Sequence, residues 1–271
     1  QRFEFHDVFG AFAALHAIGI DQADRAVDAV SPAGEQLQEA PVHVRIAGLL
    51  QDAPPRGHAG VPGKDELALA AYNRARLLLG QPQRKVVISR MNAYHGSTMA
   101  GASLGGMSGM HAQGDLPIPN ITHIGQPYFF ENALPGESQE AFGLRAAGWL
   151  EAKILELGAD KVAAFIAEPV QGAGGVIIPP ATYWPEVQRI VDKYGILLIA
   201  DEVICAFGRL GHWFAYEKFG IRPDLVTFAK GVTSGYIPLG GVMVGDRVAK
   251  VLIDQGGEFN HGYTYSGHPV A

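Results

Sequence analysis

Two charged side chains, Asp201 and Lys230, each close an apolar run of the kind that makes a buried strand. The first run reads Gly195-Ile-Leu-Leu-Ile-Ala-Asp201-Glu202-Val203, and the second reads Asp224-Leu-Val-Thr-Phe-Ala-Lys230-Gly231. Such runs are too short for a helix and suit strands covered on both faces of a parallel sheet. In parallel α/β sheets ligands sit at the carboxyl ends of the strands. A carboxylate and an amine are therefore offered to one crevice. An amine there can join a carbonyl cofactor, while the acid keeps a pyridine nitrogen protonated, which is what pyridoxal phosphate needs. A buried acid stays ionised only beside an opposite charge. Taken singly, each residue has a plainer reading, with Asp201 capping a turn and Lys230 a solvated amine.

The elements that must position these groups alternate. Lys85–Ser89, Val162–Ala167 and Gly241–Val244 read as further strands. Ser138–Leu157 reads as an amphipathic helix whose apolar face is Phe142, Leu144, Ala147, Leu150, Ile154 and Leu155. Thr182–Tyr194 is the next helix, its entry marked by Pro179-Pro180. The small residues from Gly96 to Gly109 suggest close backbone approach rather than a free-standing helix. Gly114 to Pro127, punctuated by prolines, reads as loop. Strand alternating with helix predicts the α/β class with a mainly parallel sheet. In the first eighty residues, Asp21–Glu39 can form a helix, whereas Asp52–Asp65 mixes proline, glycine and charge without periodicity.

Composition narrows the function. A chain of 271 residues, 48% hydrophobic and 18% charged, can bury a substantial core. Its net charge of −6 argues against a nucleic-acid surface. A single cysteine excludes an internal disulfide framework and suits a reducing compartment, with Cys205 expected to be buried and inert. No apolar run reaches the length of a membrane span and no signal peptide opens the sequence, so a cytoplasmic location is expected. The ten histidines lack metal-ligand spacing, so no metal is expected. Gln171 to Gly175 is glycine-rich without the spacing of a dinucleotide fingerprint.

From about Gln81 to Ala271 the sequence resembles the class III aminotransferases of fold type I, especially the ω-aminotransferases that pass amino groups from amines or ω-amino acids to pyruvate. The text that carries the likeness includes Ile88-Ser-Arg-Met-Asn-Ala-Tyr-His-Gly-Ser-Thr98, Gly114-Asp-Leu-Pro-Ile-Pro119 and Glu168-Pro-Val-Gln-Gly-Ala-Gly-Gly175. It continues in Ala200-Asp-Glu-Val-Ile-Cys-Ala-Phe-Gly-Arg209, Ala229-Lys-Gly-Val-Thr-Ser-Gly-Tyr-Ile-Pro238 and Asn260-His-Gly-Tyr-Thr-Tyr-Ser-Gly-His-Pro269. The resemblance implies a large domain over residues 81–271, built on a mainly parallel seven-stranded sheet flanked by helices, with pyridoxal 5'-phosphate as cofactor. It implies Lys230 as the lysine that joins the cofactor and moves the substrate proton, and Asp201 as the partner of the pyridine nitrogen. Tyr94 would stack on one ring face and Val203 pack on the other. Glu168 would lie by the ring hydroxyl, and His95 would support the site from behind. Thr264 would reach the phosphate of a partner subunit's cofactor, which implies a homodimer. The partners implied are a small amine donor and an oxo-acid acceptor.

The same resemblance leaves alternatives open. An aminomutase or a decarboxylase would use the same lysine and aspartate, and a non-catalytic remnant is a third reading. Residues 1–80 diverge from the family text. The phosphate loop should fall near Gly60-Val61-Pro62-Gly63, where no hydroxyl side chain stands and Pro62 removes one donor. A shifted reading frame is one account of the divergence, since Leu77-Leu78-Leu79 can be written in codons that read Tyr-Tyr-Trp one base later. The family also continues into a C-terminal small domain, which is expected to be missing after Ala271.

Overall fold

Short runs rich in valine, leucine and isoleucine make the strands, and their pairing decides which side chains reach the crevice. The structure, a computed structural model, describes residues 45–50 and 64–262. Seven strands form one sheet: β1 (Arg45–Leu50), β2 (Val86–Arg90), β3 (Ile121–Ile124), β4 (Val162–Ala167), β5 (Leu197–Asp201), β6 (Leu225–Phe228) and β7 (Gly240–Val244). Their order is β1-β7-β6-β5-β4-β2-β3. Strands β2 to β6 are mutually parallel, whereas β7 pairs antiparallel with both β6 and β1. This is the mainly parallel α/β fold that the sequence predicts.

β4 is buried at all six positions because helices cover both faces. Successive strand side chains point to opposite faces. Val87, Ala164, Ile166 and Ile199 therefore join one cluster with Ala68, Ala71 and Tyr72 of helix Lys64–Leu78 and Val248 of helix Asp246–Gln255. Ile88, Phe165, Ala167 and Leu198 join a second with Phe142, Leu150 and Ile154 of helix Gln139–Leu157 and Trp184, Val187 and Ile190 of helix Tyr183–Tyr194. The Ser138 hydroxyl accepts from Ala141 N at 3.2 Å and caps the first of these two helices.

Three expectations need correction. Leu144 and Leu155 do not belong to the buried face of helix Gln139–Leu157, being 50% and 63% exposed, because the strip that touches the sheet is narrower than the apolar stripe. The stretch from Gly114 to Pro127 is not all loop, since β3 lies within it and pairs with β2. The small-residue segment contains short helices at Met99–Leu104 and Ser108–Gly114. The close approach expected there is real: a side chain on Gly106 would place its Cβ 2.2 Å from Arg90 O. The helix expected at Asp21–Glu39 and the loop near Gly60–Gly63 lie outside the described residues.

From β2 the sheet grows both ways, with β3 on one side and β4 on the other. Such a reversal opens a crevice beyond the carboxyl ends of the two strands that flank it. The Tyr94-His95 turn follows β2, Glu168 follows β4, Asp201 ends β5 and Lys230 follows β6.

Candidate active site

Asp201 is 2% exposed, and both of its oxygens are engaged. Oδ2 lies 2.7 Å from His95 Nδ1, and Oδ1 accepts from Val203 N at 3.1 Å. The His95 side chain is wholly buried. An ionised carboxylate can only accept, so His95 Nδ1 is the donor in that pair. His95 Nε2 lies 3.3 Å from the Ser89 hydroxyl, which can either donate or accept. Ser89 belongs to β2, so a buried polar chain crosses from β5 to β2 through His95. The carboxylate that sequence reasoning singled out is thus fixed in orientation by a side chain 106 positions away.

Glu168, 3% exposed, ties two turns together. Oε1 accepts from Tyr94 N at 3.1 Å, and Oε2 from Gly172 N at 2.8 Å. The ring-bearing turn after β2 is thereby pinned to the glycine-rich turn after β4. Beneath them Arg90 is fully buried and donates to Glu168 O, its guanidinium 5.7 Å from the centroid of the Trp184 ring. Tyr94 is half-buried, and Val203, 9% exposed, sits two residues beyond Asp201. Lys230 is exposed and opens the 3₁₀ turn Lys230–Thr233 with φ +47°, a conformation that residues with a Cβ seldom adopt. Thr264 lies outside the described residues.

The backbone along this edge is unusual. A residue other than glycine with positive φ follows each of four strands: Asn92 after β2 (+56°), Val176 after β4 (+54°), Phe207 after β5 (+60°) and Lys230 after β6 (+47°). Strain of this kind persists only where surrounding structure enforces it, and it gathers at ligand sites. Sequence reasoning missed the buried polar side chains that tie this edge together, among them Ser89, Arg90 and Gln171. Gln171 is fully buried and gives Nε2 to Met91 O at 3.1 Å, while its Oε1 has no protein partner. Thr227, which faces Asp201 in the β5–β6 register, likewise has a buried Oγ1 without one. Buried polar atoms are normally paired, so orphaned ones beside a crevice fit a polar ligand. With a buried carboxylate on one strand and an amine on the next, the donor set fits pyridoxal phosphate.

Glu202 and Cys205 complete the edge. Burial pushes the Glu202 carboxyl up to about 7 and the Cys205 thiol up to about 12. Cys205, 1% exposed, is the inert buried thiol expected of it. Among the described residues no group of three or more histidine, cysteine or acidic side chains is placed to hold a metal, and no helix is long and apolar enough to cross a membrane.

Comparison with known proteins agrees with this geometry. The family model for aminotransferase class III matches residues 66–271. A putrescine–pyruvate aminotransferase of Pseudomonas aeruginosa is 49% identical over 99% of this chain and 62% of its own length. Gamma aminobutyrate transaminase 2 of Solanum lycopersicum is 52% identical over 74% of this chain and 44% of its own. Among solved structures, the omega transaminase from Pseudomonas jessenii in complex with PMP superposes with a TM-score of 0.78 at 42% identity, over 85% of this chain and 50% of that one. The chain thus spans 44% to 62% of the length of these relatives. With a family match over most of its residues and the fold of solved transaminases, this chain belongs to the class III aminotransferases.

Proposed function

We propose that the whole protein is a pyridoxal-phosphate-dependent aminotransferase that moves an amino group from an amine or ω-amino acid to pyruvate or a similar oxo acid. The observation that carries this is the buried Asp201–His95 pair at the strand-end crevice, with Lys230 at the end of the neighbouring strand. Bound pyridoxal phosphate supplies an electron sink for the charge left when a proton departs from the substrate carbon. Lys230 would hold the cofactor, and its amine would carry that proton. Asp201 would hold the positive ring nitrogen, with His95 fixing the orientation of the carboxylate through Nδ1 and Ser89 holding the far side of the imidazole. Tyr94 and Val203 give the ring its two apolar walls, and Glu168 holds the Tyr94 turn in place through the backbone. Thr264 contributes to the phosphate site of a partner subunit in a homodimer, and the setting is cytoplasmic.

Incubation with pyridoxal phosphate, a short diamine or ω-amino acid, and pyruvate tests the proposal. Alanine should form in step with loss of the amine, and the Lys230→Ala variant should form it about two to four orders of magnitude more slowly. Release of carbon dioxide in place of amino transfer would select the decarboxylase reading. An absence of both reactions in a protein that retains the cofactor would sink the proposal.

A further inference from the structure

We propose that Glu202 is a positioning residue that closes the 203–214 loop at its base and thereby holds the turn carrying Lys230. The chain leaves β5 at Glu202 and returns at helix Ala215–Phe219. Glu202 is fully buried and bridges the two ends of this excursion, accepting from Ala215 N at 3.0 Å and Tyr216 N at 2.7 Å. Its own amide donates to Thr227 O at 2.8 Å, which ties the same point to β6. Within the loop, Phe207 N donates to Trp213 O at 2.6 Å and Gly208 N to His212 O at 3.1 Å.

Aromatic rings carry the closure across to Lys230. Tyr216 stacks on Phe214 at 5.4 Å between centroids, Phe214 lies 5.6 Å from Phe207, and Phe207 meets the edge of Phe228 at 6.0 Å. Phe228 ends β6, two residues before Lys230. Phe207 also packs against Gly231, where a Cβ would stand 3.2 Å from its Cδ2. The two strained residues Phe207 and Lys230 are thus held on either side of Gly231, which has no side chain to keep them apart. A cap serving only the five-residue helix at 215–219 would not require this continuous run to the neighbouring strand.

The carboxyl gives the closure a pH signature. Burial raises its proton affinity, with Asp201 and Glu217 adding to the effect, while the amides of Ala215 and Tyr216 act against it. Cys205 in the loop and Tyr216 at its far end also face the group. The closed loop binds a proton more tightly than the open loop, where the carboxyl returns to its ordinary range. Closure is therefore strongest below the ordinary range of the carboxyl, 4.5, and weakens as pH rises from there through about 7.

Hydrogen exchange on the purified chain without cofactor tests this. After correction for intrinsic chemistry, protection of the 203–214 amides should fall about tenfold between pH 6 and pH 8, while helix Gln139–Leu157 stays constant. Glu202→Ala, which removes both acceptors, should abolish that step and speed exchange in both the loop and residues 231–234, again sparing the helix. Wild-type protection of the loop in Glu202→Ala would overturn the proposal, as would a loosened loop with residues 231–234 unchanged. Should the variant fail to fold, the wild-type pH series decides, and parallel behaviour of loop and helix refutes the idea. Turnover is not measured at any step, so the result is independent of the aminotransferase proposal.

Discussion

The carboxyl edge of the sheet and the layer beneath helices Gln139–Leu157 and Tyr183–Tyr194 are built on opposite terms. Along the edge, Ser89, Arg90, His95, Glu168, Asp201 and Glu202 are all nearly or wholly buried, and four strands are followed by residues in the left-handed region. In the layer below, Phe142, Leu150, Ile154, Val187 and Ile190 are fully buried and make no demand for hydrogen bonds. Burying apolar area stabilises each such side chain by about 1.5–3 kcal/mol. Each strained residue at the edge costs about 1–3 kcal/mol. The layer therefore supplies the margin that lets the edge hold groups in arrangements it could not keep alone.

Substitutions can separate the two regions. Lys230→Ala should show the largest effect, a loss of two to four orders of magnitude in transamination rate, or about 3–5 kcal/mol of barrier. Its side chain is exposed, so the urea midpoint should barely move. Phe142→Ala is the converse case, expected to lower stability by about 3–5 kcal/mol because a fully buried ring is removed. Urea unfolding measures it, and a loss under 1 kcal/mol would mean that Phe129 and Trp149, its aromatic neighbours, refill the space.

Asp201→Asn comes next. An opposite charge shifts proton affinity by about 1–3 units, so the half-reaction with amine should slow by roughly tenfold to a thousandfold. His95 can still donate to the amide oxygen, so far-UV dichroism should be unchanged. An unaltered half-reaction rate would remove Asp201 from the ring-nitrogen role. The smallest effect belongs to Ser138→Ala, which deletes a helix cap and should cost about 1 kcal/mol with no change in rate. A change in rate there would show that the layer and the edge are coupled more closely than their chemistry suggests.

Much of the fold was legible because buried strands in a parallel sheet are continuous apolar runs. β5 and β6 stood out for that reason, and their terminal charges pointed to the crevice. β3 did not, because Ile121–Ile124 is an edge strand with threonine and histidine in it, set among prolines. The strand-end positions of Asp201 and Lys230 could be read from the apolar runs, and His95 was named from the family text, but the contacts that hold these groups could not be read. His95 meets Asp201 across 106 positions, and Gln171 meets Met91 across 80. Glu202 could be seen as a second acid beside Asp201. Its two amide partners lie 13 and 14 residues on, at a helix start that no capping serine or aspartate announces.

The antiparallel pairing of β1 with β7 also governs the order in which the sheet can be completed. Arg45–Leu50 leaves the ribosome before its hydrogen-bonding partner Gly240–Val244, which is made roughly 190 residues later. At a synthesis rate of about 5–20 residues per second, the first strand waits on the order of 10–40 s without its partner. Local helices and the β4–β5 pair can form in that interval, since their contacts close short stretches of chain. The first strand meanwhile presents an open row of amides and carbonyls, the kind of surface that invites pairing with another nascent chain. Expression at high density should therefore yield aggregates seeded at that strand, and slower synthesis at lower temperature should raise the soluble share.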